Sequence, residues 1–177
     1  MTSTKDRQYP LAYHITFNCY GRWLHGDPAG SVDGHRHNYP GSPTVPASRE
    51  LWGFELEEMK QPPYELDGPR RKVVMEAIIE VCAYRGWMLL AAHVRTNHVH
   101  AVVQADARAE KVMSDFKAYA SRRLNKDGFD SRDRKRWARH GSTRYKWTWD
   151  EVERAVVYVL REQGDQMETY DLSEARA

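Results

Sequence analysis

"HVRTNHVHAVV", residues 93–103, decides the fold. Alternate residues of a strand point to the same face. His98 and His100 therefore stand side by side, and Val99, Ala101 and Val103 form the opposite, apolar face. The preceding "WMLLAAHV" (87–94) is also strand-like, so Arg95-Thr96-Asn97 reads as the tight turn of a hairpin.

Outward from this hairpin, "LAYHITFNC" (11–19) alternates as a strand, with Leu11, Tyr13, Ile15, Phe17 and Cys19 on one face and His14, Thr16 and Asn18 on the other. A helix is predicted over 69–85: Pro69 suits its first turn, Val74, Ala77, Ile78, Val81 and Cys82 form a stripe, and Gly86 stops it. A second helix is expected over 109–125, with Val112, Met113, Phe116, Ala120 and Leu124 inward. A last helix runs through "DEVERAVVYVLREQG", opened by a capping box of Thr148 with Glu151 and ended at Gly164. "RYKWTW" suggests a short strand. The order strand, helix, hairpin, helix, helix predicts an α+β domain: a small antiparallel sheet with helices packed on one face, and the second hairpin strand near the sheet centre.

Residues 20–66 are rich in Gly, Pro, His and Asp and read as a long irregular insertion, with a short helix near 49–59. His25, Asp27, His35 and His37 within it form a weak candidate for a second metal cluster. The polar tail 165–177 is expected to be poorly ordered. We read all 177 residues as one domain.

No apolar run reaches the roughly 18 residues needed to span a bilayer. The N-terminus has no apolar signal-peptide core, and Cys19 and Cys82 form no disulfide framework. These features predict a reduced, cytoplasmic protein. The net charge of +2 hides an asymmetry. Lys117–Lys146 carries eleven Lys or Arg against three Asp, a local +8 that leaves −6 for the rest. Tyr119, Phe129, Trp137 and Tyr145 are interleaved with these cations, as in proteins that stack bases and contact phosphates of single-stranded nucleic acid. A solvated basic surface explains the charge alone equally well.

Two imidazoles on one strand face need partners. A divalent cation would supply one to both, but it requires a further ligand. On the last helix Glu151, Arg154, Tyr158 and Glu162 share a face distinct from the core stripe of Val152, Ala155, Val156, Val159 and Leu160. A phenol and a carboxylate facing two imidazoles would make a metal-dependent site. A surface tyrosine beside a helical ion pair is the plainer alternative.

"NHVHAVV", followed 58 residues after His100 by Tyr158 in "VVYVLREQG", resembles the single-tyrosine HUH transposases, the insertion-sequence-200-like and REP-associated tyrosine transposase group. The resemblance covers roughly 9–19 and 69–164, and the insertion lies outside it. It implies a ferredoxin- or RRM-like HUH nuclease fold and Mg²⁺ or Mn²⁺ held by His98, His100 and a polar group of the tyrosine helix. It further implies Tyr158 as nucleophile, forming a 5′-phosphotyrosine on single-stranded DNA that carries a hairpin. The family's third ligand is typically a Gln four residues after the tyrosine. Here that position is Glu162, with Gln163 fifth, and helical phase favours Glu162. Both are retained. The rival nucleophile Tyr119 is read as a packing or stacking residue, and Lys117, Arg122, Arg123, Arg139 and Arg144 as DNA contacts, the last two in a loop "RHGSTRY". Monomer and helix-exchanged homodimer both stay open.

Histidine-triad hydrolases are excluded by Val102 at the third alternate position, zinc deaminases by the absence of HxE with PCxxC, and P-loop NTPases by the absence of GxxxxGK[ST]. A larger replication initiator or relaxase would bring a helicase or second tyrosine, neither of which is evident. The remaining alternative is a domesticated transposase that binds single-stranded or hairpin DNA without cutting it.

Overall fold

The computed structural model describes residues 8–22, 48–50, 53, 57 and 59–176. Strand β1 (Ala12–Cys19) is followed by helix α1 (Gly68–Arg85), the hairpin β2 (Met88–Val94) and β3 (His98–Gln104), helix α2 (Ala109–Lys126), strand β4 (Trp137–Lys146), helix α3 (Trp149–Arg161), strand β5 (Glu168–Asp171) and a short α4 (Leu172–Ala175). The sheet order is β4-β1-β3-β2-β5, and all pairings are antiparallel. As expected, β3 occupies the centre.

Local chemistry sets the helix ends. Asp67 caps α1 by accepting from the Arg70 N–H at 2.9 Å, and Gly86 ends it at φ 70. The Thr148–Glu151 capping box opens α3. The main core lies between one sheet face (Tyr13, Ile15, Phe17, Val99, Ala101, Val103) and α1 and α2.

Three expectations are corrected. Helices cover both faces: α3 packs on the opposite one, where Val152, Ala155 and Val159 meet Ala12, Ala91 and Val102. Small residues at the sheet centre let this helix approach closely. The proposed loop "RHGSTRY" is part of strand β4, which reaches back to Trp137. Its Gly141 lies where a Cβ would collide with the Met113 sulfur and the Thr16 carbonyl. The tail is ordered, since residues 168–171 pair with β2 at Val94, His93, Ala92 and Ala91.

Of the predicted helix at 49–59, the described residues Arg49, Glu50, Gly53 and Glu57 are helical. His25, Asp27, His35 and His37 lie outside the described residues. Among the described residues no helix is long and apolar enough to cross a membrane. Cys19 and Cys82 are buried free thiols.

Candidate active site

Pairing of β1 with β3 sets Thr16 opposite His100 and His14 opposite Val102. Directly opposed residues share a face with Cβ atoms about 5 Å apart. The polar face of β1 therefore meets the histidine face of β3. Thr16 Oγ1 lies 2.8 Å from His100 Nδ1, and His14 Nε2 lies 3.3 Å from the same atom. The His98 and His100 rings are 4.9 Å apart and nearly perpendicular. The Asn97 amide approaches His98 Nδ1 to 2.6 Å. With the Asn97 oxygen accepting from Arg22 over 3.0 and 3.1 Å, its amide nitrogen donates to His98.

Helix α3 lays Tyr158 over this face. The Tyr158 ring is 5.9 Å from His100 and 5.7 Å from His14, edge-on to both, and the residue remains 41 % exposed. His93 anchors the helix. Buried at 1 % exposure, its Nδ1–H donates to the Val159 carbonyl at 3.1 Å, while its Nε2 accepts from the Met167 N–H at 3.1 Å. Both ring nitrogens are used, so His93 is a satisfied neutral imidazole joining β2, α3 and the approach to β5.

The helix ends at Arg161, and Glu162 has left helical geometry at φ −110, ψ 16. Gly164 at φ 75 then turns the chain back. Glu162, the C-cap, still donates its N–H to the Tyr158 carbonyl at 3.1 Å, and helical phase ends there, so it does not by itself place Gln163. The Gln163 side chain lies near His100, and its Nε2 donates to the Tyr158 carbonyl at 3.3 Å. Glu162 is exposed and lines an open groove along α3 together with Arg154, Val157 and Tyr158.

Burial is the main cause that pushes the imidazoles down, His14 and His98 to about 4 and His100 to about 3. Neighbouring cations add to this: Lys146 and Arg144 at His14, Arg95 and Arg22 at His98. At neutral pH all three rings are uncharged and offer lone pairs. Their folded values lie below the unfolded 6.5, so between about 4 and 6.5 the unfolded chain takes up protons that the folded one refuses. Unfolding free energy then rises with pH through that window and is fully present above it. Each histidine contributes up to ~1.4 kcal/mol per pH unit. Melting of metal-free protein should show a falling Tm from pH 6.5 to 4.5, and the fall should shrink in His100→Gln.

A family model matches the chain at residues 64–162, under the description "Transposase IS200 like". That span runs from the residues before α1 to Glu162 and holds both β3 histidines and Tyr158. The chain belongs to the IS200-like transposase family. The activity of that family is DNA transposition. Among solved structures, this IS200-like chain is similar to a REP-associated tyrosine transposase bound to a REP hairpin (14 % identity, TM-score 0.47, covering 92 % of this chain and 72 % of that one). It is also similar to a candidate transposase from Deinococcus radiodurans R1 (14 % identity, TM-score 0.44, covering 88 % and 91 %). No curated protein matches it significantly.

In this IS200-like chain the expected DNA contacts separate into two groups. Lys117 is turned inward: Nζ donates to the Ala138 and His140 carbonyls at 2.9 and 3.2 Å, and burial pushes the amine down to about 8. Arg123 bonds Glu76, Glu80 and Asp127. Both hold the fold together. Tyr119 and Arg122 stack on each other at 4.3 Å on α2, beside Tyr84. This helix packs on the sheet face away from Tyr158, so the structure does not bring Tyr119 to the histidines. Arg139 is exposed on β4, beside Lys117 and Met113 on the α2 side. Arg144 is exposed opposite His14, on the histidine side.

Sequence reasoning missed His14, Thr16, Lys146, Arg22 and Arg95 around the site. The signal for the first two was present in the polar alternation of β1, but it acquires meaning only once β1 is paired with β3.

Proposed function

We propose that this protein cleaves and rejoins single-stranded DNA through a 5′-phosphotyrosine at Tyr158, assisted by a divalent cation. The observation carrying this reading is the convergence, within 6 Å between ring centres, of His100 with His98 on one side and Tyr158 on the other.

The donor set fits a cation. Two neutral imidazoles and one amide oxygen, from His98, His100 and Gln163, leave further positions for phosphate and water. Imidazole nitrogen favours a first-row transition ion such as Mn²⁺ over Mg²⁺. Among the described residues no group of three His, Cys, Asp or Glu side chains is arranged for a metal, and the third member of the proposed set is an amide. When bound, the ion would polarise the scissile phosphate and stabilise charge developing on its oxygens.

The remaining roles belong to the chain. The Tyr158 oxygen attacks phosphorus and loses its proton to solvent. The bond from phosphorus to the 3′ oxygen breaks, and that oxygen leaves as a hydroxyl after taking a proton. One phosphodiester is exchanged for another, so the 3′-OH can reverse the attack and rejoin DNA without an external energy source. Arg144 and Lys146 on one flank and Arg22 and Arg95 on the other give phosphates a positive approach. The partner is hairpin-bearing single-stranded DNA, as the HUH resemblance implies.

Incubating the protein with end-labelled single-stranded DNA from its own flanking sequence and Mn²⁺ should yield a covalent protein–DNA adduct, abolished by chelator. DNA binding without any adduct would favour a domesticated binding protein instead. Arg144→Ala should weaken binding across sequences and lower the slope of log affinity against log salt by about 1, read by fluorescence anisotropy at several salt concentrations. An unchanged slope would remove Arg144 from the DNA path.

A further inference from the structure

The sequence interleaves aromatic side chains with the cations of 117–146, but the structure uses several of those rings internally. The Trp137 indole donates to the Lys117 carbonyl at 3.1 Å and to Ser121 Oγ at 2.9 Å, and its ring packs edge-on against Phe17. Phe129 packs against the main core beneath the Arg70 guanidinium. A different set faces solvent. Tyr145, Trp147 and Trp149 occupy alternate positions where β4 runs into α3, and all three are exposed, Trp149 by 59 %. The Tyr145 ring is braced edge-on by Tyr13 at 5.2 Å, and Trp147 stands 6.5 Å beyond it, again edge-on. Rings held in this way lose little conformational freedom when something stacks on them.

The intervening cations are Arg144 and Lys146, whose charges act on His14. Strand alternation puts them on the histidine side, with Arg144 opposite His14, and puts Tyr145 on the other side, opposite Tyr13. Strand β4 is an edge of the sheet, so among the described residues no further strand covers its outer side. A chain crossing this edge meets cations on one side and aromatic rings on the other. That combination suits a single strand of DNA, whose phosphates attract cations and whose unpaired bases expose flat apolar faces. In a duplex those faces are covered by neighbouring base pairs.

We propose that Tyr145, Trp147 and Trp149 form a base-stacking platform for the unpaired nucleotides that lead to the active site, with Arg144 and Lys146 holding their phosphates. This rests on the single-stranded DNA substrate proposed above. Every base has a face to stack, so the platform selects unpaired DNA without reading its sequence.

Binding of a short oligothymidylate to the full chain in EDTA, followed by fluorescence anisotropy and by tryptophan emission, tests this without any cleavage. An abasic oligomer of the same length offers phosphates but no bases. Wild type should bind the oligothymidylate at least about fivefold more tightly than the abasic oligomer, with quenched tryptophan emission. Trp147→Ala and Trp149→Ala should each weaken oligothymidylate binding at least about fivefold and leave abasic binding unchanged. Neither should alter the slope of log affinity against log salt, because stacking releases no counterions. Trp147→Phe, which keeps a ring, should retain most of the affinity. The inference is overturned if the two oligomers bind alike, or if both alanine variants bind oligothymidylate as wild type does. Alanine variants that leave DNA binding alone but turn a dimer into a monomer in sedimentation would also overturn it, assigning these rings to a second copy of the chain. Base-dependent binding by a protein that never forms an adduct in Mn²⁺ would contradict the proposed function and leave this inference standing. Adduct formation with unaltered binding in both alanine variants would do the reverse.

Discussion

Tyr158→Phe forms no covalent complex with single-stranded DNA while binding it as tightly as wild type. The substitution removes one oxygen and keeps the ring that packs on His14 and His100. The residue is 41 % exposed on an otherwise intact helix, so stability should change by less than about 0.5 kcal/mol. Cleavage should fall by at least about 10³-fold, because a covalent route has no substitute for its nucleophile. Tyr119→Phe should keep full adduct formation, since Tyr119 sits on α2, stacked with Arg122, across the sheet from the histidines. Denaturing gels of labelled DNA after reaction with each variant give the answer. An adduct persisting in Tyr158→Phe and vanishing in Tyr119→Phe would reverse the assignment.

Gln163→Ala should reduce Mn²⁺-supported cleavage about 10–100-fold, whereas Glu162→Ala should stay within about twofold of wild type. Adjacent residues would thus differ sharply in effect, in the opposite sense to the one helical spacing from Tyr158 favours. The cause is the helix end: past Arg161 the backbone leaves helical geometry and Gly164 reverses its direction. That brings the Gln163 side chain back toward the tyrosine carbonyl and His100. Glu162 is exposed in a groove that it shares with Tyr158. Cleavage rates measured over a Mn²⁺ titration separate the two cases, because loss of a ligand raises the metal requirement. A large effect of Glu162→Ala with none for Gln163→Ala would restore the helical-phase argument.

The parts of the site that follow from local periodicity are legible in one sequence. Strand alternation puts His98 and His100 on one face. A capping box and an apolar stripe place α3 and leave Tyr158 off its core side. What could not be read depends on pairing between distant segments. His14 and Thr16 are unremarkable polar residues until β1 lies antiparallel to β3. Strand β4 carries Arg, His, Gly and Ser, which have little strand preference alone, and it forms because the β1 edge offers it hydrogen-bonding partners. The same reason applies to β5, four polar and aromatic residues recruited by the free edge of β2.

Charge was misleading in a similar way. Part of the basic run is spent on contacts within the molecule. Arg136, 4 % exposed, bonds Asp130, Asn125 and the Ser131 carbonyl. Arg134 reaches Gln61 and the Pro62 and Pro63 carbonyls. A count of Lys and Arg cannot separate these from Arg144 and Lys146, which flank the histidines.

The central claim is that two β3 imidazoles hold a cation facing the phenol of the same chain. Anomalous scattering from a crystal grown with Mn²⁺ and uncleaved single-stranded DNA tests it most directly. The account predicts one strong peak about 2 Å from a ring nitrogen of His98 and of His100, with Gln163 beside it and the scissile phosphate between the ion and Tyr158 of that subunit. A peak elsewhere, or that subunit's Tyr158 hydroxyl turned away from the phosphate, would contradict it.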